Sequence, residues 1–129
     1  MDLLKVSVIK RSEGVFIVSP DGSIDSDTYE LLQKRVDALM QPPPKAVIFD
    51  MQFVKYISSM GLKVILRTKE AVERAGGTVL LINLQPQISK VFDIVKAIPS
   101  QNIFINIEDM DRYLAAIQAK EVEKRKSAQ

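Results

Sequence analysis

Val54-Lys55-Tyr56-Ile57-Ser58-Ser59-Met60-Gly61-Leu62-Lys63-Val64-Ile65-Leu66 joins an apolar run to a helical one through two adjacent hydroxyls. The first turn of a helix leaves backbone N–H groups unpaired, and its dipole favours negative charge there. A serine at that point is therefore a natural cap, and also a well-placed phosphate acceptor. Downstream, Leu62, Ile65, Leu66 and Val72 share one helical face, while Lys63, Arg67, Lys69, Glu70, Glu73 and Arg74 largely leave it, which predicts a helix over 59–75. Gly76-Gly77 stops that helix, since glycine accepts the left-handed conformation of a C-terminal cap.

Both flanks of this segment carry short, nearly continuous apolar runs. Ala46-Val47-Ile48-Phe49-Asp50 and Thr78-Val79-Leu80-Leu81-Ile82 have the pattern of strands buried on both faces. Before them, Pro42-Pro43-Pro44 ends a first helix predicted over 27–40. Asp25-Ser26-Asp27 supplies cap candidates, and Leu31, Leu32, Val36, Leu39 and Met40 recur at helical spacing. Ser19-Pro20-Asp21-Gly22 has turn chemistry, and Val6, Val8 and Val15-Phe16-Ile17-Val18 form a hairpin around a polar turn. Toward the C-terminus, Ile88, Val91, Phe92 and Val95 predict a short helix and Ile103-Phe104-Ile105 a small strand. A last helix begins near Ile107-Glu108-Asp109, with Leu114 and Ile117 inward, and runs into a charged tail. The predicted order is hairpin, helix, strand, helix, strand, helix, short strand, helix. Such alternation implies an α/β domain with a largely parallel sheet and an N-terminal antiparallel element.

The chain has 129 residues, 47% hydrophobic and 26% charged, enough for one domain that buries roughly two thirds of its unfolded surface. It contains neither cysteine nor histidine, which excludes disulfides, thiolate nucleophiles, imidazole bases and the usual zinc ligands. Eighteen Lys and Arg against sixteen Asp and Glu leave +2, too little for a nucleic-acid footprint without clustering. The one basic concentration, Lys124-Arg125-Lys126, shares its tail with Glu121 and Glu123 and is expected to be a solvated helix end. Met1-Asp2-Leu3-Leu4-Lys5 lacks the regions of a signal peptide, and no apolar run approaches a membrane span, so the expected setting is soluble and cytoplasmic. Gly61-Leu62-Lys63 lacks the spacing of a nucleotide-binding loop. Asp21, Asp25, Asp27 and Asp50 show no metal-ligand spacing, so neither cofactor nor metal is expected, and no catalytic residue.

The segment 53–66 resembles the signature of STAS domains, specifically the bacterial anti-sigma-factor antagonists, in which Asp-Ser-Ser-Gly-Leu follows a buried strand. Asp21-Gly22-Ser23-Ile24-Asp25 is similar to the Gly-x-Leu/Ile-Asp before the family's first helix, and Gly76-Gly77-Thr78-Val79-Leu80 resembles its next strand entry. The resemblance implies a mixed, mostly parallel sheet of four to five strands with an N-terminal hairpin and about four helices. It places a single STAS domain at 1–117 and a charged tail at 118–129. It also implies an anti-sigma factor with serine kinase activity as partner, a serine phosphatase as a further partner, and neither nucleic acid nor membrane insertion. The family's phosphorylated serine falls on Ser59, with Ser58 as second choice, and the partner surface on Asp25, Ser58, Ser59, Met60 and Lys63. Ser58 stands where the family has an aspartate, and Met60 where it has a small residue. Several roles stay open: Ser58 or Ser59 as a plain helix cap, Asp25 as a cap, Met60 as packing rather than an adaptable contact. A scaffold or partner subunit of a signalling assembly or lipid-transport complex, without phosphorylation, is the alternative function.

Overall fold

The computed structural model describes residues 3–96 and 98–127; the side chains of Val95, Glu121, Arg125, Lys126 and Ser127 also lie outside the description. The elements are β1 (Lys5–Ser12), β2 (Val15–Ile24), α1 (Tyr29–Asp37), β3 (Ala46–Asp50), β4 (Phe53–Ile57), α2 (Ser59–Arg74), β5 (Thr78–Ile82), α3 (Pro86–Val95), a 3-10 turn (Ser100–Asn102), β6 (Ile103–Phe104) and α4 (Ile107–Ser127). The sheet runs β1-β2-β3-β5-β6, with β4 attached to β2 alone. Among the described residues only the β1–β2 hairpin is antiparallel.

The expected fold class holds, and β3 and β5 begin and end where their apolar runs do. The sheet has six strands, more than the four to five expected, because 53–57 forms β4. Ser19-Pro20-Asp21-Gly22 is not a turn: β2 continues through it, pairing Lys5 with Asp21 and Val6 with Pro20 on one side. On the other side β2 pairs with β3 over Val15–Val18 and with β4 from Asp21 to Ile24. Pro20, which has no N–H to donate, falls between those two partners.

Alternate strand residues face opposite sides of the sheet. Val47, Phe49, Val79 and Leu81 join Leu32 and Val36 of α1, Ile65 and Val72 of α2 and Ile88 and Phe92 of α3 in the main core. Ile48, Leu80, Ile82 and Phe104 face the other way, under Met110 of α4. Leu114 packs against this smaller cluster, but Ile117 is 40% exposed, contrary to its expected inward position, since α4 has by then passed the buried group. Ile105 is 80% exposed and outside β6. Arg11 reaches from β1 to α4, with Nη1 donating to Asp111 Oδ1 at 2.8 Å.

Helix α1 is shorter than predicted at both ends. At its start, Asp25 and Thr28 form a hydrogen-bonded turn before the helix; at its end, Leu39 N–H and Met40 N–H bond three residues back, tightening the chain ahead of the prolines. Helix α2 ends as expected. Gly76, at φ 89°, donates to Glu73 O at 2.9 Å, and Gly77 donates to Val72 O at 2.9 Å, satisfying two terminal carbonyls.

Candidate functional site

Strand β4 ends on Ile57, the parallel partner of Ile24 at the end of β2, so both strands release their chains at one corner of the sheet. Ser58 follows in extended conformation (φ −86°, ψ 173°) as the N-cap of α2. Its N–H donates to Ile24 O at 2.7 Å, its carbonyl accepts from Leu62 N–H at 2.9 Å, and its Oγ accepts from Gly61 N–H at 3.3 Å. The capping role thus falls on Ser58, whose side chain is half-buried. Ser59, the first helical residue, is exposed, and its hydroxyl has no hydrogen-bond partner among the described residues.

On the other side of this joint, Asp25 directly follows Ile24. Its Oδ1 accepts from Asp27 N–H at 2.9 Å and Thr28 N–H at 3.1 Å, while Thr28 Oγ1 accepts from Asp25 N–H at 2.9 Å and donates to Ser23 O at 2.7 Å. Asp25 is therefore half-buried and fixed by its own turn, and Thr28 rather than an acid is the N-cap of α1. Its carboxylate organises the loop and still brings negative charge to the corner. Met60 is half-buried, and Lys63 is exposed one turn along α2 from Ser59, without an ion-pair partner among the described residues. The structure thus gathers Asp25, Ser58 and Ser59 at one joint and places Met60 and Lys63 along the helix leaving it.

Sequence reasoning missed two supports of this corner. Ile24, fully buried, is the common strut, accepting from Ser58 and packing on Gly61. The other is a set of amides beside β4, whose far edge has no strand partner among the described residues: Gln85 Nε2 donates to Gln52 O at 2.7 Å and Gln87 Nε2 contacts Lys55 O at 3.4 Å. Asp50 Oδ1 accepts from Asn83 Nδ2 at 3.0 Å and Gln52 N–H at 3.2 Å, which ties the β3–β4 loop to the end of β5. Gly61 inside an otherwise helical pattern was a readable signal for the first; the second, spanning about thirty residues, has no sequence period.

A STAS domain model matches residues 7–110, which spans the sheet, this corner and the start of α4. The chain belongs to the STAS domain family. Among curated relatives, it is 29% identical over 84 residues to the putative anti-sigma factor antagonist BtrV of Bordetella bronchiseptica, covering 65% of this chain and 72% of that one. Among solved STAS structures, the anti-sigma factor antagonist SpoIIAA in its unphosphorylated form superposes with a TM-score of 0.74 at 15% identity, over 87% of this chain and 97% of that one. The murine Slc26a9 anion transporter contains a similar fold, with a TM-score of 0.66 and 22% identity over 83% of this chain and 18% of the transporter. The same fold thus occurs as nearly a whole chain in one and as a small part of a longer chain in the other. Among the described residues there is no cluster of three or more His, Cys, Asp or Glu suited to a metal ion, and no helix long and apolar enough to cross a membrane.

Proposed function

We propose that this chain is an anti-sigma-factor antagonist: it binds an anti-sigma factor that is also a serine kinase, frees the sigma factor, and is switched off when that kinase phosphorylates Ser59. The observation that carries this reading is the division of labour at the corner. Ser58 spends its hydroxyl on capping α2, while Ser59 stands exposed beside it, without a partner among the described residues, on a turn joined to that of Asp25. A phosphoryl group adds about −1.5 to −2 charge and three strong acceptors. At the first position of a helix that charge is favoured within the molecule, and beside Asp25 it adds like charge and bulk to the surface that a partner reads, which would break the interface. The antagonist name carried by BtrV supports the partner class. A serine phosphatase resets the switch, and the exchange takes place in the cytoplasm. Incubating the protein with the anti-sigma kinase of its own genome and ATP, then locating phosphate by mass spectrometry, tests the switch. Phosphate on neither Ser59 nor Ser58 would remove it.

One observation favours a second reading, a non-phosphorylated scaffold or partner subunit of a signalling or lipid-transport assembly. Ser58 replaces an acid with a neutral cap, so kinase recognition loses a charge. A pull-down from the native cell separates the two: an ATPase-like anti-sigma factor supports the antagonist, and scaffold or transporter subunits support the alternative.

A further inference from the structure

Glycine is a poor choice for a helix interior, yet Gly61 occupies the third position of α2, buried against Ile24. A Cβ there would lie 2.5 Å from Ile24 Cγ2 and 3.0 Å from both Ile24 Cβ and Ile24 O. The last two atoms belong to a fully buried residue at the end of a paired strand, so turning the isoleucine side chain cannot relieve them. The same carbonyl accepts the Ser58 N–H at 2.7 Å, and Asp25 is the next residue along the chain. Backbone bond and close approach therefore act at one point, between the turn bearing Asp25 and the turn bearing Ser59. We infer that Gly61 is a positioning residue of the partner surface: the absence of its side chain sets how closely the Ser58–Ser59 turn sits against the Asp25 turn, and so the spacing that a partner reads. This rests on the reading that both turns belong to one partner-binding corner.

Gly61→Ala tests the inference against Gly76→Ala, which lies at the far end of α2 with positive φ and no atom within 4 Å of a new Cβ. Gly76→Ala adds the backbone strain of a positive φ, which helical Gly61 does not have, and leaves the contacts of the corner untouched, so it is the harsher backbone control. Two readouts are taken on the full chain: amide NMR signals of 24–28 and 58–62, and affinity for the anti-sigma factor of the same genome. Gly61→Ala is expected to shift both groups of signals and to weaken binding about tenfold or more, while Gly76→Ala leaves both as in the parent. Adding Ile24→Ala to Gly61→Ala removes the nearest clash and should recover part of the affinity, which a loss of stability alone would not allow. Unchanged signals at both turns, or Gly61→Ala binding within about twofold of the parent, would overturn the inference. Should the parent itself not bind, the proposed function fails separately, and the positioning role is decided by the amide signals. If Gly61→Ala does not fold, Ile24→Ala alone opens the same joint, and unmoved signals at 25–28 and 58–62 in that variant would sink the idea.

Discussion

The two adjacent serines should separate cleanly in a stability experiment that needs no partner. Ser58 Oγ satisfies one of the orphan N–H groups of α2, at 3.3 Å, near the long end for such a bond. Its loss in Ser58→Ala should therefore fall in the lower half of the capping range, about 0.5–1 kcal/mol. For a domain of this size that corresponds to a fall in Tm of about 2–4 °C. The bond from Ser58 N–H to Ile24 O is backbone and survives the substitution, so register at the corner is retained. Ser58→Asp keeps an acceptor in place and adds charge where the helix dipole favours it. The first turn of α2 holds no acid, so a gain of about 0.3–1 kcal/mol is expected. Ser59→Ala removes a hydroxyl with no partner among the described residues and installs a better helix former, so stability should stay within about 0.5 kcal/mol of the parent or rise slightly. Urea unfolding of the four proteins at pH 7, analysed with a common m-value, gives the comparison. A Ser59→Ala protein less stable than Ser58→Ala, or a Ser58→Asp protein less stable than the parent, would refute the assignment of cap and free hydroxyl.

Against the proposed anti-sigma kinase partner, Ser59→Asp should bind more weakly than the parent while Ser59→Ala binds nearly as well; equal calorimetric affinities for the two variants would argue against control by charge. Gly77→Ala should be among the most damaging single changes, by about 2 kcal/mol or more, because a Cβ there would meet Pro44 O at 2.6 Å and Lys45 O at 2.8 Å, both backbone atoms; thermal unfolding would reveal it. The Arg11 guanidinium, chiefly through its hydrogen bond, holds the Asp111 carboxyl below its usual range, so the pair stabilises the fold fully above that range and the contribution is lost as pH falls below it and through the lowered folded-state value. With side chains 35% and 45% exposed, the pair is worth under about 1 kcal/mol; Arg11→Ala should therefore cost a few tenths to that amount at pH 7, and the difference from the parent should shrink in titrations toward pH 3.

Where burial alone dictated structure, the sequence was readable. The runs 46–50 and 78–82 are apolar throughout because β3 and β5 are interior strands covered by helices on one face and by α4 on the other. The reading failed where one strand serves two neighbours. Pro20 and Gly22 carry turn chemistry, yet Pro20 is held in the strand by Val6 of β1 and Gly22 by Val54 of β4, about thirty residues later in the chain. Strand β4 itself hides because just Val54 and Ile57 are buried while Phe53, Lys55 and Tyr56 face out, a spacing broken by the register shift between Gly22 and Ser23. At the site, the motif located the serines, and the residue types suited either to the cap. What separates them is the backbone: Ser58 is extended and bonded to Ile24, and Ser59 is already helical.

The change of partner along β2 is what puts the corner where it is. Strand β3 pairs with only the first part of β2, which leaves Asp21–Ile24 open for β4, and β4 is too short to continue past Ile57. The last pair of the sheet at that corner is therefore Ile24 with Ile57, and the residues released immediately after it are Asp25 and Ser58. Two segments remote in sequence reach one place because a single strand changes partner midway. Pro20 falls within the change, where a residue with an N–H would have neither β3 nor β4 as register partner. The corner is thus a consequence of strand pairing, which is why a short motif after β4 and a single aspartate after β2 suffice to mark it.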